Sequence, residues 1–160
     1  MQVLWLTAAV FVIDQVTKLA VNHSLDLYES VPVIQNFFHL THVSNDGMAF
    51  GLTLPGGDFP LAVLSLIMSI ILGIIFWQER AGHILVRISL ALIMAGALGN
   101  LVDRLRSGEV TDFFHFKIGD YWEWYIFNIA DSAVTIGMIL FLYYSFFIQR
   151  KIKIQEESLS

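Results

Sequence analysis

The chain has 160 residues and a formal net charge of -5; 56% of its residues are hydrophobic and only 14% are charged. Soluble domains average about 45–50% apolar and about 25% charged residues, so a soluble domain, a disordered chain and a basic nucleic-acid-binding protein are all disfavoured. Because the sequence contains no cysteine, a disulfide framework, a thiolate metal site and a cysteine nucleophile are excluded. A small integral membrane protein remains.

Four long apolar runs predict four membrane-spanning helices. A helix rises about 1.5 Å per residue, so about 20 apolar residues cross the hydrocarbon core of a bilayer. The runs cover residues 3–21, 59–78, 84–102 and 127–148. The first run lacks the basic start and uninterrupted apolar stretch of a secretory signal peptide, and we expect it to be retained. The predicted fold is a single all-α membrane domain, a four-helix bundle.

The segments between the spans predict the orientation and a small β structure. Arg80, Arg87 and the basic tail favour a cytoplasmic loop at 79–83 and a cytoplasmic tail at 149–160. Segments 22–58 and 103–126 then lie outside the membrane. Alternating residues at 37–43 predict a strand, and 48–54 is its expected return strand after a turn. The second outer segment ends in tryptophans and tyrosines typical of a membrane interface.

Polar residues within the spans are informative, because an ionised side chain at the centre of a span costs about 2.5–3.5 kcal/mol on insertion scales. Asp14 and Lys18 lie four residues apart on one face of the first helix and are predicted to pair. A stripe of small residues on the third span permits close helix approach. Beside this stripe, Asn100 and Arg104 share a face, with Asp103 nearby. Snorkelling at the interface explains the arginine well but the asparagine poorly.

The fourth span carries a polar ridge formed by Asn128, Asp131, Ser132 and Thr135, at i, i+3, i+4 and i+7. We expect this ridge to face the bundle or a wet cavity, because lipid offers polar groups no partner. Asp112, which follows the third span, is the best candidate partner for Asp131. Two carboxyls that share a site do not both ionise easily, so one can act as general base and the other as general acid. The spacing by itself leaves open a solvated loop aspartate.

Other chemistries receive less support from the residues. No histidine lies inside a predicted span, which disfavours a serine intramembrane protease, and the His-Glu-x-x-His metalloprotease signature is absent. We therefore expect no metal and no cofactor. The remaining alternative is a small non-enzymatic transporter or lipid-binding module whose polar ridge lines a pathway.

Five motifs in chain order resemble those of the bacterial lipoprotein signal peptidases (signal peptidase II), a family of intramembrane aspartic proteases. The similarity covers nearly the whole chain, and the ordered set is far more specific than any single motif. The motifs are 14–18 (Asp-Gln-Val-Thr-Lys), 45–51 (Asn-Asp-Gly-Met-Ala-Phe-Gly), 96–104 (Gly-Ala-Leu-Gly-Asn-Leu-Val-Asp-Arg), 108–113 (Gly-Glu-Val-Thr-Asp-Phe) and 127–132 (Phe-Asn-Ile-Ala-Asp-Ser).

The resemblance implies that Asp112 and Asp131 are the catalytic pair and that no metal takes part. It further implies an active site near the outer leaflet of the bacterial cytoplasmic (inner) membrane, with both termini in the cytoplasm. The implied partners are membrane lipids and a prolipoprotein whose cysteine carries diacylglycerol, cleaved just before that cysteine; nucleic acid is not a partner, and we expect a monomer.

The resemblance also assigns roles to other residues. The positions implied to bind substrate or order the site are Asn45, Asn100, Arg104 and Asn128. Those implied to support the site are Asp14, Lys18 and Asp103. The two outer segments are implied to correspond to a β-rich cradle and to a mobile periplasmic helix, which would lie over the cleft.

Overall fold

The structure, a computed structural model, describes residues 3–46, 59–119 and 121–151. It contains four long apolar helices, α1 (Leu4–Ser24), α2 (Phe59–Gln78), α3 (Ile84–Ser107) and α4 (Ile129–Tyr143). A short 3-10 turn (Glu79–Ala81) follows α2, and a π-helical turn (Tyr144–Ile148) continues α4. With these continuations, four helical segments are long and apolar enough to cross a membrane, which agrees with the number of predicted spans: Leu4–Ser24, Pro60–Ala81, Ile84–Ser107 and Ile129–Lys151.

Helix α3 is longer than its apolar run predicts. It continues beyond residue 102 to Ser107 and ends at Gly108, which adopts a left-handed φ of 83° and donates its N–H to the carbonyl of Arg104. A residue without a Cβ adopts this conformation at little cost. Asp103 and Arg104 therefore lie on α3 near its end, together with Asn100, as their spacing predicts.

Helix α3 is the centre of the bundle and packs against α1, α2 and α4. Glycines make two of these contacts close. A Cβ on Gly96 would overlap the carbonyl of Ala130, and one on Gly99 would lie 2.5 Å from a carboxylate oxygen of Asp14. The predicted small-residue stripe is confirmed, because Ala91 and Ala95 are fully buried beside Gly99. The polar residues of α1, α3 and α4 are thereby brought to one level.

A small antiparallel sheet joins the two outer segments. Its strands, in spatial order, are β1 (Ser30–Ile34), β2 (Phe38–Asn45), β3 (Val110–Ile118) and β4 (Trp122–Glu123). The predicted strand at 37–43 is confirmed as β2, whereas the predicted return strand at 48–54 lies outside the described residues. The neighbours of β2 are β1, which the sequence analysis did not predict, and β3 from the second outer segment. The fold is thus mostly helical with a small antiparallel sheet, as predicted. The described part of the second outer segment forms β3 and β4 and not the helix implied by the resemblance.

Aromatic side chains connect this sheet to the start of α4. Phe38, Phe114, Phe116 and Phe127 pack ring against ring, with centroid separations of 4.8–6.0 Å. The carbonyl of Phe127 also accepts the backbone N–H groups of Phe113 and Phe114. These contacts hold β3 beside the first turn of α4, which places Asp112 close to Asp131.

Candidate active site

The first turn of α4 is built around a reciprocal cap. Asn128 is the N-cap, and its side-chain oxygen accepts the backbone N–H of Asp131 at 2.9 Å. In return, a carboxylate oxygen of Asp131 accepts the backbone N–H of Asn128 at 3.2 Å. Such a capping box satisfies two helix-terminal donors and fixes the rotamers of both side chains. The position of the Asp131 carboxyl is therefore set by its own helix.

The side chain of Asn128 also contacts the carboxyl of Asp112. Its amide nitrogen donates to an Asp112 oxygen at 2.6 Å, and lies 3.2 Å from the side-chain oxygen of Asn100. Asn128 is fully buried, with 0% of its surface exposed. One asparagine thus contacts both predicted catalytic aspartates, one from β3 and one from α4.

Two further asparagine amides complete the contacts to the carboxyls. Asn45, on β2, donates to the other oxygen of Asp112 at 2.9 Å. Asn100, on α3, donates to Asp131 at 2.8 Å. Each aspartate therefore accepts at least one neutral amide donor, and Asp112 accepts two. Amide donors hold a carboxyl in place without neutralising it, which leaves its charge available for proton transfer.

A buried network of charged side chains fixes the orientation of the Asn100 side chain. The Lys18 ammonium lies 2.9 Å from Asp14 and 2.8 Å from Asp103, which confirms the predicted pair and adds a second acid. The same ammonium donates to the side-chain oxygen of Asn100 at 2.9 Å. Because that oxygen accepts from Lys18, the amide nitrogen must point towards Asp131. Lys18 is therefore linked to Asp131 through Asn100, and Asp14 and Asp103 in turn bind Lys18.

The network also clamps α1 to the start of α4. Asp14, with 0% of its surface exposed, accepts the backbone N–H of Ala130 at 2.9 Å. Gln15 donates to Asp14, to Asp103 and to the carbonyl of Gly99, each at 3.2 Å. Sequence reasoning assigned no role to Gln15; its place directly after Asp14 in the first motif was the available signal.

Arg104 lies beside the site without a direct bond to either aspartate in the described residues. Its guanidinium interacts electrostatically with Asp131 and Asp112, and one terminal nitrogen donates to the Ser65 hydroxyl at 3.2 Å, which links α3 to α2. Its Nε is buried and has no hydrogen-bond partner among the described side chains and backbone. A buried guanidinium with a spare donor can take an acceptor from a ligand.

The environment of Asp112 favours its protonated form. Burial, and secondarily the negative charge of Asp131, raise the pKa of Asp112 from 3.8 to about 7, while the Asn45 and Asn128 amides and the Lys18 charge act in the opposite direction. Only 3% of the surface of Asp112 is exposed. Mutual repulsion is the electrostatic signature of two carboxyls that share a site. The pair can therefore hold a single proton near neutral pH.

Each aspartate lines a different cavity. The outer cavity, of about 540 Å³, contains Asp112 and is bordered by β2 and the residues after β4. The α4 cavity, of about 360 Å³, contains Asp131 and is lined by Trp124, Phe127, Asp131, Ser132, Thr135 and Ile136. Trp124 borders both cavities, so this predicted interface tryptophan is also a wall of the site. The sequence predicted only that this tryptophan suits the membrane interface.

The predicted polar ridge of α4 is divided between the bundle and this cavity. Asn128 is buried, Asp131 and Ser132 are half-buried, and Thr135 is exposed. The expectation that the ridge faces the bundle or a cavity therefore holds along its length, with Thr135 on the cavity side. Among the described residues, no group of three or more histidine, aspartate or glutamate side chains is arranged to hold a metal ion.

Comparison with solved structures defines the class of protein. The chain superposes on a bacterial membrane enzyme solved at 1.9 Å with a TM-score of 0.76 and 31% sequence identity, covering 91% of this chain and 93% of that one. A second bacterial membrane enzyme, solved at 2.3 Å, gives a TM-score of 0.75 at 32% identity. With its four apolar helices, the protein is a multi-pass membrane protein whose fold is that of membrane enzymes.

Comparison of sequences identifies the family. The model of the signal peptidase (SPase) II family matches residues 6–147, and the chain belongs to that family. A lipoprotein signal peptidase of Desulforapulum autotrophicum is 45% identical over 145 residues, which cover 86% of this chain and 87% of the relative. One of Staphylococcus carnosus is 38% identical and covers 94% of both chains. Membership makes the protein a membrane protease, and the transporter alternative loses its support.

Proposed function

We propose that the protein is an aspartic endopeptidase that removes the signal peptide from diacylglyceryl-modified prolipoproteins by cleaving just before the lipid-modified cysteine. The observation that carries this proposal is that Asn128 holds both aspartates. Its side-chain amide donates to the Asp112 carboxyl, and its backbone N–H donates to the Asp131 carboxyl. The names of the relatives, which are lipoprotein signal peptidases, supply the substrate class.

In the proposed reaction, each of the two carboxyls carries out part of the proton transfers of hydrolysis. Asp112 holds the proton, in keeping with its raised pKa, and Asp131 carries the charge, which the first turn of α4 stabilises. Asp131 takes a proton from water as the water oxygen attacks the scissile carbonyl carbon, and Asp112 protonates the carbonyl oxygen. Asp131 then passes its proton to the leaving nitrogen as the C–N bond breaks, while Asp112 regains its proton from the collapsing diol. The pair returns to its initial state without a metal or covalent intermediate.

The remaining residues hold this pair and its substrate. Asn45, Asn100 and Asn128 fix the carboxyl positions through their amides. The spare Nε of Arg104 is suited to a substrate carbonyl, and the buried network of Lys18 supports Asn100. Because every one of these side chains comes from one chain, we propose that the monomer is the active form.

The location of the site suits a lipid-modified substrate. Asp131 lies in the first turn of α4, whereas Asn100 and Arg104 lie in the last turns of α3, so the site is at one end of the bundle. Acyl chains can remain in hydrocarbon at this level while the peptide enters a polar cleft, and their binding helps to position the scissile bond. The positive-inside rule makes this the outer leaflet of the inner membrane and makes the termini cytoplasmic. The sheet then forms a cradle over the cleft.

The direct test uses the purified chain and a synthetic prolipoprotein peptide whose cysteine carries diacylglycerol. We expect a single cleavage just before that cysteine, located by mass spectrometry. The same peptide with an unmodified cysteine is the matched control and should be a much poorer substrate. Cleavage at another bond, or equal cleavage of both peptides, would refute the assigned specificity.

The rate should decline on the alkaline side as the shared proton is lost. Because Asp112 must be protonated, kcat/KM should fall about tenfold per pH unit above pH 7. The Asn45 amide lowers the pKa of Asp112, so Asn45→Ala should raise that pKa. The fall of kcat/KM with pH should then begin at a higher pH. The control is Asn22→Ala, whose side chain contacts Thr111 but neither aspartate. If kcat/KM falls at the same pH in Asn45→Ala as in the wild type, Asp112 is not the titrating group.

Chelation tests the assignment to carboxyl chemistry. Since the proposed reaction uses only two aspartates and water, EDTA should leave the cleavage rate unchanged, as measured with the diacylated peptide. Strong inhibition that is reversed by added Zn²⁺ or Mg²⁺ would rule out this mechanism.

A further inference from the structure

The α4 cavity is lined by the Thr135 hydroxyl, which has no hydrogen-bond partner among the described residues. Ser69, Ser89 and Ser132 each donate to the backbone carbonyl four residues earlier, at 2.7–2.9 Å, as hydroxyls in membrane helices commonly do. Thr135 stands on the exposed side of α4, and within the described part of the chain its hydroxyl makes no such bond. In a hydrocarbon setting an unsatisfied hydroxyl is unfavourable, so an acceptor from outside the protein is expected.

The cavity restricts the chemistry of that acceptor. Trp124, Phe127 and Ile136 supply an apolar lining, and among the described residues that line the cavity only Asp131 is ionisable. A phosphate group would lie next to this carboxyl, with no cation among the described lining residues, and is therefore disfavoured. A neutral carbonyl oxygen carried by an apolar group matches both the hydroxyl and the walls. The cavity, at about 360 Å³, is within the usual range for small-molecule sites, roughly 300–1,000 Å³.

We propose that the α4 cavity binds the diacylglyceryl group on the substrate cysteine, and that the Thr135 hydroxyl donates a hydrogen bond to one of its ester carbonyls. This inference rests on the proposed function, because it takes the lipid-modified substrate from there. The glyceryl ester unit occupies the cavity, and the acyl chains continue into the bilayer along the apolar face of α4. The thioether end then lies on the side of Asp131, next to the scissile bond.

The experiment compares two lipids and a set of variants of the full chain. Two synthetic peptides differ only in the linkage of their chains to glycerol, which is ester in one and ether in the other. Ether linkages keep the length and apolarity of the chains but lack the carbonyl acceptor. Thr135→Val removes the hydroxyl at nearly constant shape, and Thr135→Ser retains it. Thr17→Val makes the same change on α1, where the hydroxyl donates to the backbone carbonyls of Ile13 and Asp14 and does not line the cavity.

The ratio of kcat/KM for the ester peptide to kcat/KM for the ether peptide is the readout. One neutral hydrogen bond corresponds to roughly a 3- to 10-fold preference for the ester in the wild-type protein. We expect Thr135→Val to reduce this ratio to about 1, and Thr135→Ser and Thr17→Val to retain it. Loss of stability alone would lower both rates and leave the ratio unchanged.

Two results would overturn the inference while the proposed function stands. One is a wild-type protein that cleaves both peptides equally well; the other is an ester preference that survives in Thr135→Val. In either case the hydroxyl has another partner, such as a peptide carbonyl. Failure to cleave either lipidated peptide would instead refute the proposed function, and the inference with it.

Discussion

Replacement of either paired aspartate by asparagine should abolish peptide cleavage. Asp112→Asn and Asp131→Asn each remove one group that transfers a proton, and general acid–base catalysis contributes about 10²–10⁴ in rate. Each loss breaks the same two-carboxyl unit, so the double variant should be little slower than either single variant. The measurement is single-turnover cleavage of the diacylated peptide by purified, membrane-inserted protein.

The amide side chain keeps the shape of the site while it removes the charge. Asn128 can still donate to an oxygen at position 112, so the variants should fold and insert. Asp26→Asn is the matched control, since Asp26 is an exposed aspartate between α1 and β1. If either dyad variant keeps more than about a tenth of the wild-type rate, the corresponding carboxyl is not the acid or base.

The stability of the protein should depend on pH through Asp112, with a sign opposite to that of most carboxylates. Its pKa is about 7 in the folded protein and 3.8 without these surroundings, so between these values the folded state keeps a proton that the unfolded state has lost. The free energy of unfolding therefore falls as pH rises from about 4 to about 7. At about 1.4 kcal/mol per pKa unit, the loss is up to about 4 kcal/mol.

Asp112→Asn should remove this loss because asparagine does not ionise. At pH 8 we expect the variant to be more stable than the wild type by a few kcal/mol, and at pH 4 the two should be nearly equal. Denaturation in mixed micelles at both pH values measures the difference, with Asp26→Asn as the control that follows the wild type. An unchanged pH dependence in Asp112→Asn would contradict a buried, proton-sharing carboxyl. A more stable but inactive variant would show that the site is maintained at a cost in stability.

The helical part of the fold was predictable because lipid imposes a simple rule. A span must be a long apolar helix, so runs of about 20 apolar residues are visible in composition alone. The pairing of Asp14 with Lys18 was predictable for a similar reason, since four residues separate them on one helix and neither is tolerated alone in hydrocarbon. The end of the third helix was harder to predict, because the apolar run ends at residue 102 while α3 continues to Ser107.

The sheet was harder to predict, because strand partners come from distant parts of the chain. β2 alternates clearly enough to be identified, but its partner β3 lies more than 60 residues away. Nothing local specifies that Val43 faces Asp112 or that Asn45 reaches its carboxyl. The turn signal after Asn45 favoured a local hairpin instead, and that return strand falls outside the described residues.

The sequence by itself determined the membrane class, the four spans and the five ordered motifs that identify the family, because these depend on composition and on short spacings. Only the tertiary structure decided how the site is assembled. Asn128 joins Asp112 to Asp131, Lys18 orients Asn100, and Thr135 faces a cavity rather than a helix partner. These relations depend on how four helices and a sheet pack together. Hydrogen bonds between residues that are far apart in the chain cannot be predicted from local sequence patterns.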